Sequence, residues 1–439
     1  MDAKRQAATE IVRRLREQGF QAYWVGGCVR DLVLGRAPAD FDITTDATPT
    51  EVIRLFPQSL TVGAQFGVVI VARPEGDFEV ATFRSDGRYT DGRHPAEVRY
   101  TRTPEEDVRR RDFTLNGLLY DPLEEQVLDY VGGQADISAR CVRTIGDPFQ
   151  RFHEDRLRML RAVRFAARFL FTPERALVEA IRKLAPLIRD VSAERIRGEI
   201  VKILTEGQAR RGFELLDETG LLPEVLPEVK ALQGVEQPPE FHPEGDVWTH
   251  TLLMLAGLRS PTPTLALGVL LHDVGKPPTF SRRERIRFDN HVEIGARMAE
   301  AIGTRLRLPL RVTERVVELV RQHLRFKDFP HMRRSTQLRF LRLEGFEEHL
   351  ELHRLDCLAS HGDLSTYEMV KRMVEETPAE EIKPEPLLRG DDLIAEGYRP
   401  GPLFKKMLQA MEDAQLEGRI RTPTEARQLL KELFPPSTP

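Results

Sequence analysis

Residues 24–46 read WVGGCVRDLVLGRAPADFDITTD. A strand-like run ends at Val25, the Gly26-Gly27 pair turns the chain, and VRDLVLG continues as a helix. Small residues at such a turn let backbone N–H groups approach a phosphate, and the helix N-terminus adds favourable partial charge. Arg30 is placed to meet the same anion. Asp40 and Asp42 follow in a strand-like segment, where residues i and i+2 point to one face. Like charges held close are costly unless a cation neutralises them. Two oxygen ligands suit Mg²⁺, which also takes triphosphate oxygens. Gly-Gly alone reads as a plain turn, and two aspartates alone read as a solvated strand edge. Together they describe a site for a metal and a phosphate. Glu79, in the strand-like FEVATF, is a candidate third carboxylate.

Outward from this stretch the pattern is that of a small α/β unit. Residues 3–18 form an amphipathic helix with Ile11, Val12 and Leu15 on one side. The helix EVIRLF and the strands VVIVA and FEVATF come after FDITT. From about Phe152 the pattern turns helical with few strand signals, and Pro223, Pro227 and the run 237–245 (QPPEFHPEG) mark joints. The expected class is α+β, divided into a head (1–145), a helical neck and body (146–236), a third segment (237–380) and a helical tail (381–439). The 439 residues are 41% hydrophobic and 31% charged, a soluble globular balance. No apolar run reaches the roughly 18 residues that span a bilayer, and the N-terminus has no apolar signal core. No membrane partner and a cytoplasmic location are expected. Cys28, Cys141 and Cys357 are scattered, which excludes a disulfide framework. A net charge of −4 gives no global sign of nucleic-acid binding, so positive charge must be concentrated locally. It is concentrated in VRRR (108–111) and in the series Arg156, Arg158, Arg161, Arg164 and Arg168.

GGCVRD with DFD, then EEDVRRRDFTLNGLLYDP (105–122), then RFHEDRLRMLRAVRFAARF (151–169), resemble in order the motifs of the class II tRNA nucleotidyltransferase and bacterial poly(A) polymerase family. That resemblance implies a polymerase-beta-like head, a neck that reads the nucleotide and a helical body that holds tRNA, with CTP and ATP as substrates. Asp40 and Asp42 would bind the metals. Gly26, Gly27, Arg30, Arg110, Arg111, Asp112 and Asn116 would hold triphosphate and ribose and brace the head. Glu154, Asp155 and Arg158 match the family's nucleotide-selecting helix, with Arg161 and Arg164 following them. Asp155 and Arg158 stand three apart, so on a helix they share a face. Cytosine and adenine each present an amino donor beside a ring-nitrogen acceptor. A carboxylate and a guanidinium therefore pair with C or A, and leave G and U facing unpaired or repelling groups. Without the flanking motifs the same residues read as a surface ion pair. Glu194 and Arg197 resemble supporting positions of the neck.

RSDGRYTDGRHP (84–95) is similar to the loop that lets the family switch to adding A. Phe66, in GAQFG (63–67), stands where many relatives carry histidine, and the basic signature of poly(A) polymerases is missing there. An enzyme adding only the terminal A remains an open alternative.

Further on, His250, His272-Asp273 and Asp356 have the order H…HD…D, with LLHDVGK (270–276) following an apolar run. Imidazole with carboxylate suits a divalent metal. The segment resembles an HD phosphohydrolase domain, in which His291 and His323 match ligands of a second metal. The expectation is therefore CCA addition to tRNA with a possible HD phosphoester hydrolysis. The alternatives are an enzyme that is mainly a phosphohydrolase and an RNA-binding scaffold with two inactive sites.

Overall fold

The computed structural model describes residues 3–60, 67–86, 98–282 and 284–435. Contacts divide the chain into two compact units, 1–230 and 231–439.

The first unit opens with α1 (Ala3–Glu17), whose Ala8, Ile11, Val12 and Leu15 are buried at helical spacing. Nine strands follow among the described residues: β1 (Ala22–Val25), β2 (Asp42–Thr45), β3 (Ser59–Leu60), β4 (Val68–Arg73), β5 (Gly76–Thr82), β6 (Arg84–Asp86), β7 (Val98–Tyr100), β8 (Leu118–Asp121) and β9 (Gln126–Asp129). Seven form one sheet in the order β3-β4-β5-β2-β1-β8-β9. Only β2 and β5 run parallel, with Ile43 opposite Val80. In β5, Phe78 and Val80 are buried and alternate with the exposed Asp77 and Glu79, whereas the central strands β1 and β2 are buried nearly throughout. α2 (Gly27–Val33), α3 (Pro49–Leu55), α4 (Pro104–Arg109) and α5 (Gly133–Ser138) complete the head. The short strands β10 (Cys141–Val142) and β11 (Thr172–Pro173) pair parallel. The rest of the first unit is helical: α6 (Pro148–Glu154), α7 (Arg158–Phe169), α8 (Arg175–Leu184), α9 (Ala193–Thr205) and α10 (Ala209–Glu218), ending in the short α11 (Leu222–Val225) and α12 (Pro227–Lys230).

The second unit is helical apart from one hairpin. Its first helices are α13 (Val247–Gly257), α14 (Pro263–Leu271) and α15 (Lys276–Thr279), followed by strands β12 (Phe280–Arg282) and β13 (Ile286–Phe288). α16 (His291–Arg305), α17 (Leu310–Gln322), α18 (Arg334–Leu341) and α19 (Phe346–Ala359) close the bundle. Beyond them lie α20 (Ser365–Glu376), α21 (Ala379–Ile382), α22 (Gly390–Ala395), α23 (Pro402–Leu416) and α24 (Pro423–Leu433). The tail has its own core around Leu393, Met407, Met411 and Leu430. At Gly275 a Cβ would fall 2.1 Å from the His291 carbonyl oxygen and 2.6 Å from Gly295 N. Only glycine lets the turn after α14 lie this close to the start of α16. No helix among the described residues is long and apolar enough to cross a membrane.

Two expectations about local structure are corrected. Asp40 precedes β2, which starts at Asp42, although the alternation persists: Asp40 and Asp42 are exposed and Phe41 is buried. The stretch from Glu154 to Arg158 is not one helix. α6 ends at Glu154, and Asp155 takes extended backbone angles (φ −146°, ψ 107°) before α7 begins. An aspartate at such a break accepts the first amides of the next helix, and Asp155 Oδ1 does accept from Leu157 N at 3.1 Å.

Candidate active site and metal centre

A cleft of about 490 Å³ in the first unit is lined by Gly26, Gly27, Arg30, Asp42, Arg84, Arg110, Arg111, Asp112, Asn116, Asp155, Arg158, Arg161, Arg164, Phe165 and Arg168. Eight arginines against three aspartates make this concavity strongly positive in a chain whose net charge is −4. Several of these residues have a visible structural reason for their position. Gly26 adopts φ 76° and ψ −123°, a conformation that side chains avoid, and this turns the chain from β1 directly into α2. Arg30, buried on α2, donates to Asn116 Oδ1 at 2.8 Å, and its guanidinium lies 4.7 Å from the Phe169 ring centre. Phe165 is covered in turn by Arg164 at 4.6 Å and Arg161 at 5.3 Å. Stacked guanidinium and phenyl groups thus tie α2 of the head to α7 of the neck.

Asp42 stands in the cleft wall. Withdrawal from water, then the charges of Glu79 and Asp40, push its carboxyl up to about 6 against the pull of Arg111. Its side chain is open to solvent, yet protein surrounds it on most sides. A carboxylate raised by neighbouring carboxylates fits a cation held there. Glu79 shares the exposed face of β5 beside β2. Asp40 does not line the cleft; Lys4 Nζ holds its carboxylate at 3.2 Å.

Arg110 and Arg111 converge on Asp107, a fully buried carboxylate, at 2.7 and 3.0 Å. Burial pushes the Asp107 carboxyl up, but Arg111 and Arg110 outweigh it and hold it below the usual range. Asp112 accepts from Arg161 at 2.6 Å and from Asn116 Nδ2 at 3.2 Å. Arg164 reaches the buried Glu199 of α9 at 3.0 Å. The Asp155–Arg158 pair on one helix face is corrected as well. Asp155 Oδ2 pairs with Arg195 of α9 at 2.8 Å, while Arg158 pairs with Glu154 at 2.6 Å. The break between α6 and α7 sends the two side chains to different partners, and both still line the cleft.

Sequence reasoning missed Asp107, Arg195 and Glu199. Asp107 was legible as an acidic residue followed at i+3 and i+4 by arginines on a helix. The five arginines of α7 and its approach required buried counter-charges somewhere, but nothing local pointed to Glu199. Most of the loop 84–95, and residues 63–66 with Phe66, lie outside the described residues.

The second unit gathers the H…HD…D residues around buried Asp273. His250 Nε2 lies 3.1 Å from Asp356 Oδ1, and His272 Nε2 lies 3.1 Å from Asp273 Oδ2. His291 Nε2 and His323 Nε2 both lie 3.8 Å from Asp273 Oδ1. Lys276 Nζ reaches Asp273 Oδ2 at 2.7 Å and Gln237 Oε1 at 2.6 Å. His250, His272 and Asp273 form one group whose donor atoms converge, and Asp273, His291 and His323 form a second. His272 Nε2, His291 Nε2 and Asp273 Oδ1 are buried without hydrogen-bond partners. Orphaned acceptors converging on a carboxylate fit a divalent cation, which would supply the missing partner. Burial pushes the His323 imidazole down to about 4, keeping it neutral as a ligand must be. His250 behaves in the opposite way: burial lowers it, but Asp356 and Glu244 raise it to about 9.

Three family models match the chain. They are the Poly A polymerase head domain over residues 22–143, the probable RNA and SrmB-binding site of polymerase A over 170–233, and the HD domain over 247–357. The CCA-adding enzyme of Geobacillus thermodenitrificans is 44% identical over 216 residues, which is 49% of this chain and 53% of that protein. The alignments to this relative and to that of Geobacillus kaustophilus thus span little more than half of the relatives' length. The CCA-adding enzyme of Bacillus cytotoxicus is 30% identical over 426 residues, 95% of this chain and 96% of that protein. The crystal structure of the Bacillus stearothermophilus CCA-adding enzyme in complex with CTP superposes with a TM-score of 0.78 at 28% identity, covering 99% of this chain and 98% of that one. The Thermotoga maritima enzyme complexed with tRNA shares the fold at a TM-score of 0.58. With similarity over nearly its whole length, the chain belongs to the family of CCA-adding enzymes, nucleotidyltransferases with a polymerase head and an HD domain.

Proposed function

We propose that the chain adds CCA to the 3′ end of tRNA, using CTP and ATP, and that the cleft of the first unit performs the transfer. The observation that carries this reading is the convergence of Asp42, a glycine turn at a helix start, and eight arginines on one concavity. Mg²⁺ bound by Asp42 and Asp40, with Glu79 beside them, would supply Lewis acidity for the attacking hydroxyl and the leaving pyrophosphate. Arg30, Arg110, Arg111, Asp112 and Asn116 form the surface for triphosphate and ribose, with Asp107 fixing two of the guanidiniums. Asp155 and Arg158 inspect the base; Arg195 orients the first and Glu154 the second. Arg161 and Arg164 extend the positive wall. The division into head (1–145), neck and body (146–236), HD segment (237–380) and tail (381–439) remains our reading of the chain, with the cytoplasm as its location.

The test is extension of tRNAs ending before CCA, after C, and after CC, each with CTP or ATP. Full CCA synthesis is expected. ATP incorporation only onto the CC-ended substrate would leave an A-adding enzyme, and no incorporation would sink the reading.

The cluster around Asp273 favours a second activity, metal-assisted phosphoester hydrolysis. His250, His272, Asp273 and Asp356 would hold one divalent ion and His291 and His323 would contribute to another. An RNA ending in a 2′,3′-cyclic phosphate, offered with Mn²⁺ or Co²⁺, tests it. No hydrolysis with either ion would leave a domain that only holds tRNA.

A further inference from the structure

The imidazoles of the second unit are not held alike. His272, His291 and His323 each meet a main-chain carbonyl three residues earlier, with Nδ1 lying 2.8 Å from Val269 O, 2.8 Å from Phe288 O and 2.7 Å from Val320 O. A carbonyl only accepts, so Nδ1 carries the proton and Nε2 keeps a free lone pair. His250 is the exception. Its Nδ1 lies 2.8 Å from Glu244 Oε1, in the segment leading into α13. A carboxylate also only accepts, so Nδ1 carries a proton here as well, but the acceptor carries a full negative charge, and Nε2 faces a second carboxylate, Asp356, at 3.1 Å.

The Glu244 side chain is only 7% exposed, and its Oε1 also accepts from His242 Nδ1 at 2.9 Å. The rings of His242 and His250 meet edge to face, 5.2 Å apart. Glu244 Oε2 is buried with no hydrogen bond. An unexposed carboxylate with an unsatisfied oxygen is costly in itself. Burial pushes the Glu244 carboxyl up, but the hydrogen bonds from His250 and His242 outweigh it and hold it below the usual range.

We propose that Glu244 is a positioning residue for the metal centre: it locks His250 with Nε2 facing Asp356 and raises the donor strength of that nitrogen, while His242 holds Glu244 in place. A carboxylate behind a histidine ligand fixes the ring and increases its basicity, and loss of such a partner weakens metal affinity about 10–100-fold. The group containing His250 thereby becomes the stronger of the two that share Asp273. This inference rests on the reading that the cluster holds a divalent cation.

The test uses Co²⁺, whose visible absorption reports histidine ligation, titrated into the full-length chain carrying Asp42→Ala to silence the head. Glu244→Ala should weaken the tighter Co²⁺ equivalent about 10–100-fold and leave the weaker one unchanged. Glu244→Gln, which can still accept from Nδ1 but lacks the charge, should fall between Glu244→Ala and Glu244. His242→Ala should shift affinity in the same direction as Glu244→Ala, by less. In an otherwise native chain, Glu244→Ala should keep full nucleotide incorporation, and retention of the weaker Co²⁺ equivalent separates lost positioning from lost folding of the second unit. Co²⁺ binding by Glu244→Ala within about twofold of the parent, or equal weakening of both equivalents, would overturn the proposal. Absence of any Co²⁺ absorption in the parent would instead overturn the metal reading beneath it.

Discussion

The two polar sites of this chain are built on opposite rules. In the head cleft nearly every charge already has a protein partner: Arg110 and Arg111 have Asp107, Arg161 has Asp112, Arg158 has Glu154, and Asp155 has Arg195. The cleft is open, positive and internally paired, as suits a site whose ligand comes and goes. In the second unit the ligand-bearing atoms are buried and several are orphaned, pointing at one another around Asp273. The head cleft is thus organised by its own ion pairs, whereas the donor atoms of the second site converge on Asp273.

If the sites are separate, damage to one spares the other. Asp42→Ala should lower nucleotide incorporation on the order of 10³-fold, since a metal-bound carboxylate supports several kcal/mol of transition-state stabilisation. Hydrolysis of a 2′,3′-cyclic phosphate should be unchanged. Loss of both activities would merge the two regions into one machine.

The internal pairing of the head makes a stability prediction. Asp107→Ala leaves Arg110 and Arg111 without their buried counter-charge and should cost the first unit about 3–5 kcal/mol, read from denaturant unfolding. The sign of its pH dependence follows from the depressed carboxyl. The stabilisation is present above the ordinary carboxylate range and is lost as pH falls through the folded value. An acid-unfolding limb that is identical in the Asp107→Asn variant would contradict this assignment.

The orphaned atoms of the second site make a complementary one. A divalent cation at about 100 times its dissociation constant should stabilise the second unit by about 2.7 kcal/mol. Thermal unfolding with and without Co²⁺, repeated in His272→Ala, checks this. An equal shift in the variant would place the ion elsewhere.

How much of this was legible in the sequence follows the same division. Residues separated by a local period were readable: the helix at 3–17, the exposed alternation at Asp40 and Asp42, the Gly26 turn, and the H…HD…D series whose members converge. What failed was the continuity of the helix from Glu154 to Arg158. Helical spacing gave no sign of the break, because an aspartate that begins a new helix looks, in one dimension, like an aspartate inside an old one. Arg195, Glu199 and Glu244 were missed for a different reason. Each is defined by a partner far along the chain or in a non-helical lead-in, and periodicity carries no information about such pairs.

The break between α6 and α7 changes what the smallest expected effect means. A shared helix face would have made Asp155 and Arg158 one ion pair, and removing either would then disturb both. With Arg195 and Glu154 as separate holders, the side chains of Asp155 and Arg158 are not partners of one another. Asp155→Ala should therefore weaken rejection of GTP and UTP by about 10–100-fold while leaving Arg158 in place and turnover of the correct nucleotide less affected. Arg195→Ala should produce a weaker form of the same defect, because Asp155 keeps its contact with Leu157 N but loses the fixed orientation of its other oxygen. Measuring kcat/KM for the four nucleotides in both variants separates the cases. Unchanged discrimination in Asp155→Ala would refute base reading by this carboxylate. A defect in Arg195→Ala larger than in Asp155→Ala would mean that Arg195, not Asp155, faces the base.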